Sequence, residues 1–178
     1  MTRQVAFLRA INVGGHTVKM DRLRLLFGEL RLASVETFIA SGNVLFDSAS
    51  RNTDALESRI ERHLEQALGY GVATFVRPLA TLAAIAAQHP FESVERDGHA
   101  LSIGFLKHTP DAEVARKLAA LETGFDAFHL HDRQLYWLCR GRVSQSKVLG
   151  GALDRALGAP VTLRNVTTVR KLAAMAQR

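Results

Sequence analysis

Hydrophobic positions in this chain change period repeatedly, and each change marks an element. Residues 3–10 are apolar at both parities, with Val5 and Phe7 on one side and Ala6 and Leu8 on the other. That pattern predicts a central strand covered on both faces. The polar, glycine-rich bend Asn12-Val-Gly-Gly15 interrupts it. Met20, Leu23, Leu26, Phe27 and Leu30 then recur at three and four, so an amphipathic helix is expected over 19–31. A second strand is expected over 34–40 and a third over 44–47. Between them Ser41-Gly42-Asn43 reads as a tight turn, with Gly42 suited to a positive φ. Asp54 and Glu57 have the spacing of an N-cap and its capping partner. The helix they would open carries Leu56, Ile60, Leu64 and Leu68, and Gly69 stops it. A strand over 72–77 follows, then a third helix from about Leu79 that ends before Pro90.

Residues 91–99 lose all periodicity and read as a linker between a first half, 1–90, and a second, 100–178. From Ala100 the order of elements begins again. Leu101, Ile103 and Phe105 alternate as a strand, and Val114, Leu118 and Leu121 form a helical stripe. Residues 126–131 and 134–140 make a hairpin about Asp132-Arg133. A helix over 146–157 ends at Gly158, a short strand covers 161–163, and a last helix runs over about 166–177. Each half therefore reads βαββαβ plus one extra helix, which predicts an α+β protein of two ferredoxin-like halves. Short fragments match between them and suggest internal duplication: Val5-Ala-Phe-Leu-Arg9 with Ile103-Gly-Phe-Leu-Lys107, and Val76-Arg77 with Leu163-Arg164.

This topology turns the sequence into an expected site. Strands one and two run parallel with strand three between them, so the exit of strand one and the two-three turn leave the sheet at the same end. Arg9, Asn12, Gly14, Gly15 and His16 should then lie near Ser41, Gly42 and Asn43. Together they offer a guanidinium, small residues for close backbone approach, and amide and hydroxyl groups for hydrogen bonding. Glycines ahead of a helix can cradle an anion on backbone N–H groups. The spacing matches neither the dinucleotide fingerprint nor the phosphate loop with its Lys-Ser/Thr. The competing reading is a tight turn in which Asn12 caps local backbone and Arg9 pairs with an acid.

Composition adds limits and one alternative. Hydrophobic residues make up 47% of 178 and charged residues 22%, in the range of ordinary globular proteins. No segment approaches the ~20 apolar residues of a spanning helix, so no membrane is expected. A single cysteine, Cys139, excludes an intrachain disulfide, and without a visible signal peptide the expected compartment is the cytoplasm. The net charge of +6 is uneven: residues 133–178 hold nine Lys or Arg and one acid, Asp154. Lys147, Arg164, Asn165, Arg170 and Lys171 fall in that basic quarter and form a second candidate patch, for an anion or a nucleic acid. Nucleic-acid contact there would be electrostatic, because neither half carries the aromatic third-strand motif of an RNA-recognition sheet. Asn165, before the last helix, is also explained as its N-cap.

No reaction is readable. Ser41 lacks a nucleophile elbow. His129 and His131 share one strand face without a third ligand, so neither metal nor cofactor is expected. Hairpin parity sets both histidines opposite Cys139, which reads as a small core residue.

Several of these stretches carry a family resemblance. Leu8-Arg9-Ala10-Ile11-Asn12-Val13-Gly14-Gly15, Lys19-Met20-Asp21 with Leu23-Arg24, and Ser41-Gly42-Asn43-Val44 with Phe46 resemble the bacterial domain of unknown function 1697. Ser146-Lys147 and Thr162-Leu163-Arg164-Asn165 with Thr168 are similar to its closing segments. The resemblance implies a compact α+β protein of two halves and brings no activity. Where the family pattern has a tryptophan after the Arg-Asn pair, this chain has Val166, so no ring stands there to stack on a ligand. The expected function is thus non-catalytic binding of a small anionic or phosphate-bearing ligand at the strand-one exit. The alternatives are nucleic-acid association through the basic quarter, or an interaction module without ligand.

Overall fold

The computed structural model describes residues 1–39, 42–91, 98–148 and 151–176. The chain divides into two compact units, Met1–Leu82 with Lys171–Arg178, and Ala83–Arg170. Most of the linker expected at 91–99 lies outside the described residues.

In the first unit β1 (Thr2–Leu8) leads to α1 (Met20–Glu29), β2 (Ala33–Thr37), β3 (Asn43–Ser48), α2 (Thr53–Leu68) and β4 (Thr74–Pro78). A 3-10 turn, Leu79–Thr81, follows, and α3 (Leu82–Ala86) carries the chain into the second unit. The sheet order is β2-β3-β1-β4, antiparallel throughout, as the βαββαβ order requires. Val5, Ala6, Phe7 and Leu8 are all buried, so the central strand is covered on both faces. Ala6 and Leu8 pack with Val44, Phe46 and Val76 against Leu23, Phe27 and Ile60 of the helices.

The second unit repeats the plan. β5 (Ala100–Phe105), α4 (Ala112–Ala119), β6 (Asp126–His131) and β7 (Gln134–Cys139) precede a 3-10 turn, Val143–Gln145. Then come α5 (Gly151–Leu157), β8 (Thr162–Asn165) and α6 (Val166–Met175), whose residues from Lys171 on belong to the first unit. The strand order, β6-β7-β5-β8, is the first sheet's order again. At the position of Ala6 stands Gly104, where a Cβ would lie 2.8 Å from Val161 Cγ2 and 3.2 Å from Leu135 Cβ. Here the glycine serves packing, and the sheet has no room for its counterpart's methyl.

Two expected features are corrected. The N-cap of α2 is Asn52, whose Oδ1 accepts the Ala55 N–H at 3.0 Å, and not Asp54. Glu57 is no capping partner, because it lies on the buried face and turns onto β4 instead. The helix expected over 146–157 is shorter: a 3-10 turn stands at Val143–Gln145 and α5 begins at Gly151. Ser146, just after that turn, donates its hydroxyl to buried Asp126 at 2.8 Å rather than opening the helix.

The free edge of β4 shows what Glu57 does. Its Oε1 accepts the Val76 N–H at 2.7 Å, and Glu61 Oε1 accepts the Thr74 N–H at 2.8 Å. Four residues on a helix span about 6 Å, and two on a strand about 6.7 Å. One helical turn of carboxylates therefore matches alternate outward amides of the strand. The edge is thereby closed to pairing with other chains.

Candidate functional site

The loop 9–19 leaves the sheet at the expected end. Phe7 stands opposite Asn43 in register, and the Leu8 N–H donates to Gly42 O at 2.8 Å. The Arg9 N–H donates to Ala73 O at 2.9 Å, so the base of the loop is held between the hairpin on one side and the approach to β4 on the other. Ser41 lies outside the described residues.

Each remaining residue has a local task. Asn12 Oδ1 accepts the Val18 N–H at 2.6 Å and clasps the two arms of the loop. At its tip the His16 N–H donates to Val13 O at 3.3 Å, closing a β-turn whose central residues are Gly14, φ 66°, and Gly15, φ 87°. Two successive positive φ values mark a type I′ turn, which favours glycine at both positions. Among the described residues nothing beyond the chain neighbours lies within 4 Å of a Cβ placed on either glycine, so they leave the space above the turn open. The glycine pair is separate from the helix start: α1 begins at Met20 and already holds Asp21 in its first turn. Asn43, buried, donates Nδ2 to Phe38 O at 2.9 Å and to Ile39 O at 3.2 Å, lacing the β2–β3 connection.

Tyr70 is the residue that periodicity does not reveal, since it follows the helix-stopping Gly69 and reads as loop. Its ring stacks on His16 with centroids 3.9 Å apart, and its hydroxyl donates to Ile11 O at 2.9 Å. Burial raises the phenol above its ordinary value. In the β2–β3 connection Ile39 sits at φ 44° and is 51% exposed. A β-branched side chain in the left-handed region is strained, and strain of this kind gathers at functional turns.

The basic quarter looks different. Arg164 Nη1 donates to Thr162 Oγ1 at 2.9 Å and to Leu163 O at 2.8 Å, and burial pulls its guanidinium below the usual arginine range. Arg77 does the same on β4, donating Nη1 to Val76 O at 2.8 Å. The fragment match between these positions thus marks a shared structural role. Asn165 Oδ1 accepts the Thr167 N–H at 2.8 Å, the N-cap of α6. Lys147, Arg170 and Lys171 are exposed.

His129 and His131 are both exposed on β6. Cys139 is buried among core residues, with its thiol directed at Asp126 Oδ1 at 3.6 Å. That oxygen also accepts from Trp137 Nε1 at 2.9 Å and Ser146 Oγ at 2.8 Å. Burial, with the Asp126 charge, pushes the thiol up to about 12, so it is not a nucleophile at neutral pH. Among the described residues no three His, Cys, Asp or Glu gather as a metal site, and no helix is long and apolar enough to cross a membrane.

A search of curated proteins finds no match. The fold is similar to the solved structure of conserved bacterial protein SP0830 from Streptococcus pneumoniae. The TM-score is 0.77 and the identity 23%, over 100% of this chain and 99% of that one. A family model described as protein of unknown function, DUF1697, matches residues 1–136, in agreement with the motif at the strand-one exit, and the chain belongs to that family.

Proposed function

We propose that this protein binds a small anionic, phosphate-bearing ligand, without catalysis, over the Val13–His16 turn at the end of β1. The observation that carries this reading is a loop exposed from residue 12 to 17 yet pinned throughout. Asn12 clasps Val18, Tyr70 holds Ile11 and His16, and Leu8 is tied to Gly42. Ordering so much exposed backbone opposes a large conformational entropy, and preorganised loops on a rigid sheet are where binding groups gather. Arg9 at the base supplies charge, the open face of the glycine turn allows backbone approach, and the His16 ring, backed by Tyr70, supplies a flat surface. Strain at Ile39 in the neighbouring connection supports the same location.

Amide NMR during titration with inorganic phosphate and with a nucleoside monophosphate tests it. Saturable shifts at Gly14, Gly15 and Asn43, weakened about tenfold in Arg9→Gln, are expected. Unshifted amides at those three positions, or shifts that Arg9→Gln leaves intact, overturn the reading. Retention on random DNA that falls steeply with salt would instead favour nucleic acid.

A further inference from the structure

The outer strand of the second unit, β6, is closed to pairing less completely than β4. It has β7 on one side only, and the two-residue turn at Asp132-Arg133 fixes which of its amides face out. Those of Ala127, His129 and His131 turn to β7, and those of Asp126, Phe128 and Leu130 turn to the free edge. Two of the three outward amides are taken locally. The Asp126 N–H donates to Thr123 Oγ1 at 2.9 Å, and the Phe128 N–H to Glu122 Oε1 at 3.0 Å. Among the described residues none bonds the Leu130 N–H or carbonyl. On β4, amides two residues apart are met by carboxylates four residues apart on α2. Glu122 repeats that device at Phe128, but four residues before it stands Leu118, a buried apolar residue that can accept no amide.

A hollow of about 250 Å³ opens at this point, between Ala115, Leu118 and Ala119 of α4 and Phe128, His129 and Leu130 of β6. Phe128 and Leu130 pack toward the core, whereas His129 lies beside Tyr136 on the other face of the sheet. Residues of both parities can line one space only along the edge of the strand. The volume equals that of about eight waters in the liquid, room for one large apolar side chain. Glu122 is the one acid in the lining, which has no Lys or Arg. From the open backbone beside an apolar hollow we infer that β6 takes an extended peptide segment of a partner protein as an added antiparallel strand, with an apolar residue in the hollow and no acid beside it. Directly paired residues put their side chains on one face. The residue opposite Leu130 therefore exchanges main-chain hydrogen bonds with it and turns its own side chain toward α4. A compact apolar ligand would leave the Leu130 backbone unused, and a strand of small residues would leave the hollow unfilled.

Amide NMR on the full chain tests this with three peptides: acetyl-Lys-Thr-Leu-Thr-Lys-amide, the same peptide with its leucine N-methylated, and the same peptide with glycine in place of leucine. The first should shift the Ala119, Phe128 and Leu130 amides saturably and slow hydrogen exchange at Leu130. N-methylation removes the donor to the Leu130 carbonyl and should weaken binding about tenfold. The glycine peptide, with nothing to fill the hollow, should bind about tenfold more weakly as well. Shifts that are absent, unsaturable, or matched by either analogue overturn the inference. Leu130 shifts that move on dilution of the chain alone overturn it too, because they give the edge to a second copy. The comparison uses the unmodified chain and needs no variant to fold.

Discussion

Asn12 shows how a single atom orders a loop. Its Oδ1 accepts the Val18 N–H at 2.6 Å, while Nδ2 lies 3.5 Å from Val18 O, at the limit of a hydrogen bond. Of these two contacts the acceptor's is the closer. Asn12→Ala is expected to cost about 1 kcal/mol and to speed hydrogen exchange at the Val18 amide. Asn12→Asp, which keeps the acceptor, should restore most of that protection, and equal exchange in both variants would remove Asn12 from this role. Gln4 is the opposite case. It is fully buried in β1, and no described protein group partners either side-chain polar atom. A buried amide without partners is destabilising, so Gln4→Met, of similar volume, should raise stability by about 1–2 kcal/mol. A lower urea midpoint for that variant would show that the amide is satisfied in solution. Asn12 could be read from the sequence as either a ligand group or a local cap, since an Asn beside glycines serves both. The second part of the site, Tyr70, was not legible, because stacking on His16 joins positions 54 apart through the fold alone.

The most consequential arrangement among the elements is the carboxylate lacing of β4 by α2. Glu57 and Glu61 were legible only as polar positions on an amphipathic helix. Their task depends on where the helix lies along the strand, and periodicity carries no information about that. The two are not equivalent. Glu61 is partly exposed and bonds one amide, whereas Glu57 is buried with the Arg77 guanidinium 3.6 Å away. Glu61→Ala should cost about 1 kcal/mol and raise exchange at Thr74 while leaving Val76 protected. Glu57→Ala removes the buried carboxylate beside Arg77 together with the acceptor of the Val76 N–H, and should cost about 3–5 kcal/mol. Denaturant midpoints together with site-resolved exchange measure both, and loss of protection spreading equally to Thr74 and Val76 in Glu61→Ala would contradict separate bonds. Helices α1 and α2 were readable because their apolar stripes are long. Of the helix expected over 146–157 only the part from Gly151 on forms, because the short apolar spacing there does not define where a helix begins.

Over the whole molecule the buried titratable groups set the alkaline limit of stability. Burial pushes Tyr136 up to about 12 from 10.0, assisted by Asp132, and Cys139 up to about 12 from 9.0. In both, the folded chain holds a proton that the unfolded chain has already lost between those values. Their stabilisation is therefore complete below about pH 9 and is lost as pH rises toward 12. Urea midpoints measured from pH 8 to 11 should fall, and Cys139→Ala should flatten the part of the slope that begins near 9. A midpoint independent of pH over that interval would contradict the burial of both groups. The sequence by itself determined the α+β class and the repeated βαββαβ order, because strand and helix periods are local and each half has enough apolar residues to express them. It also determined that the β1 exit and the β2–β3 connection share one end of the sheet, since strand order follows from the order of elements. Tertiary structure alone decided how side chains distant in sequence meet: that Tyr70 stacks on His16, that Glu57 and Glu61 take up amides of β4, and that Asp126 accepts from Trp137 and Ser146. Those outcomes depend on distances between residues remote in the chain, and such distances exist only once the core has packed.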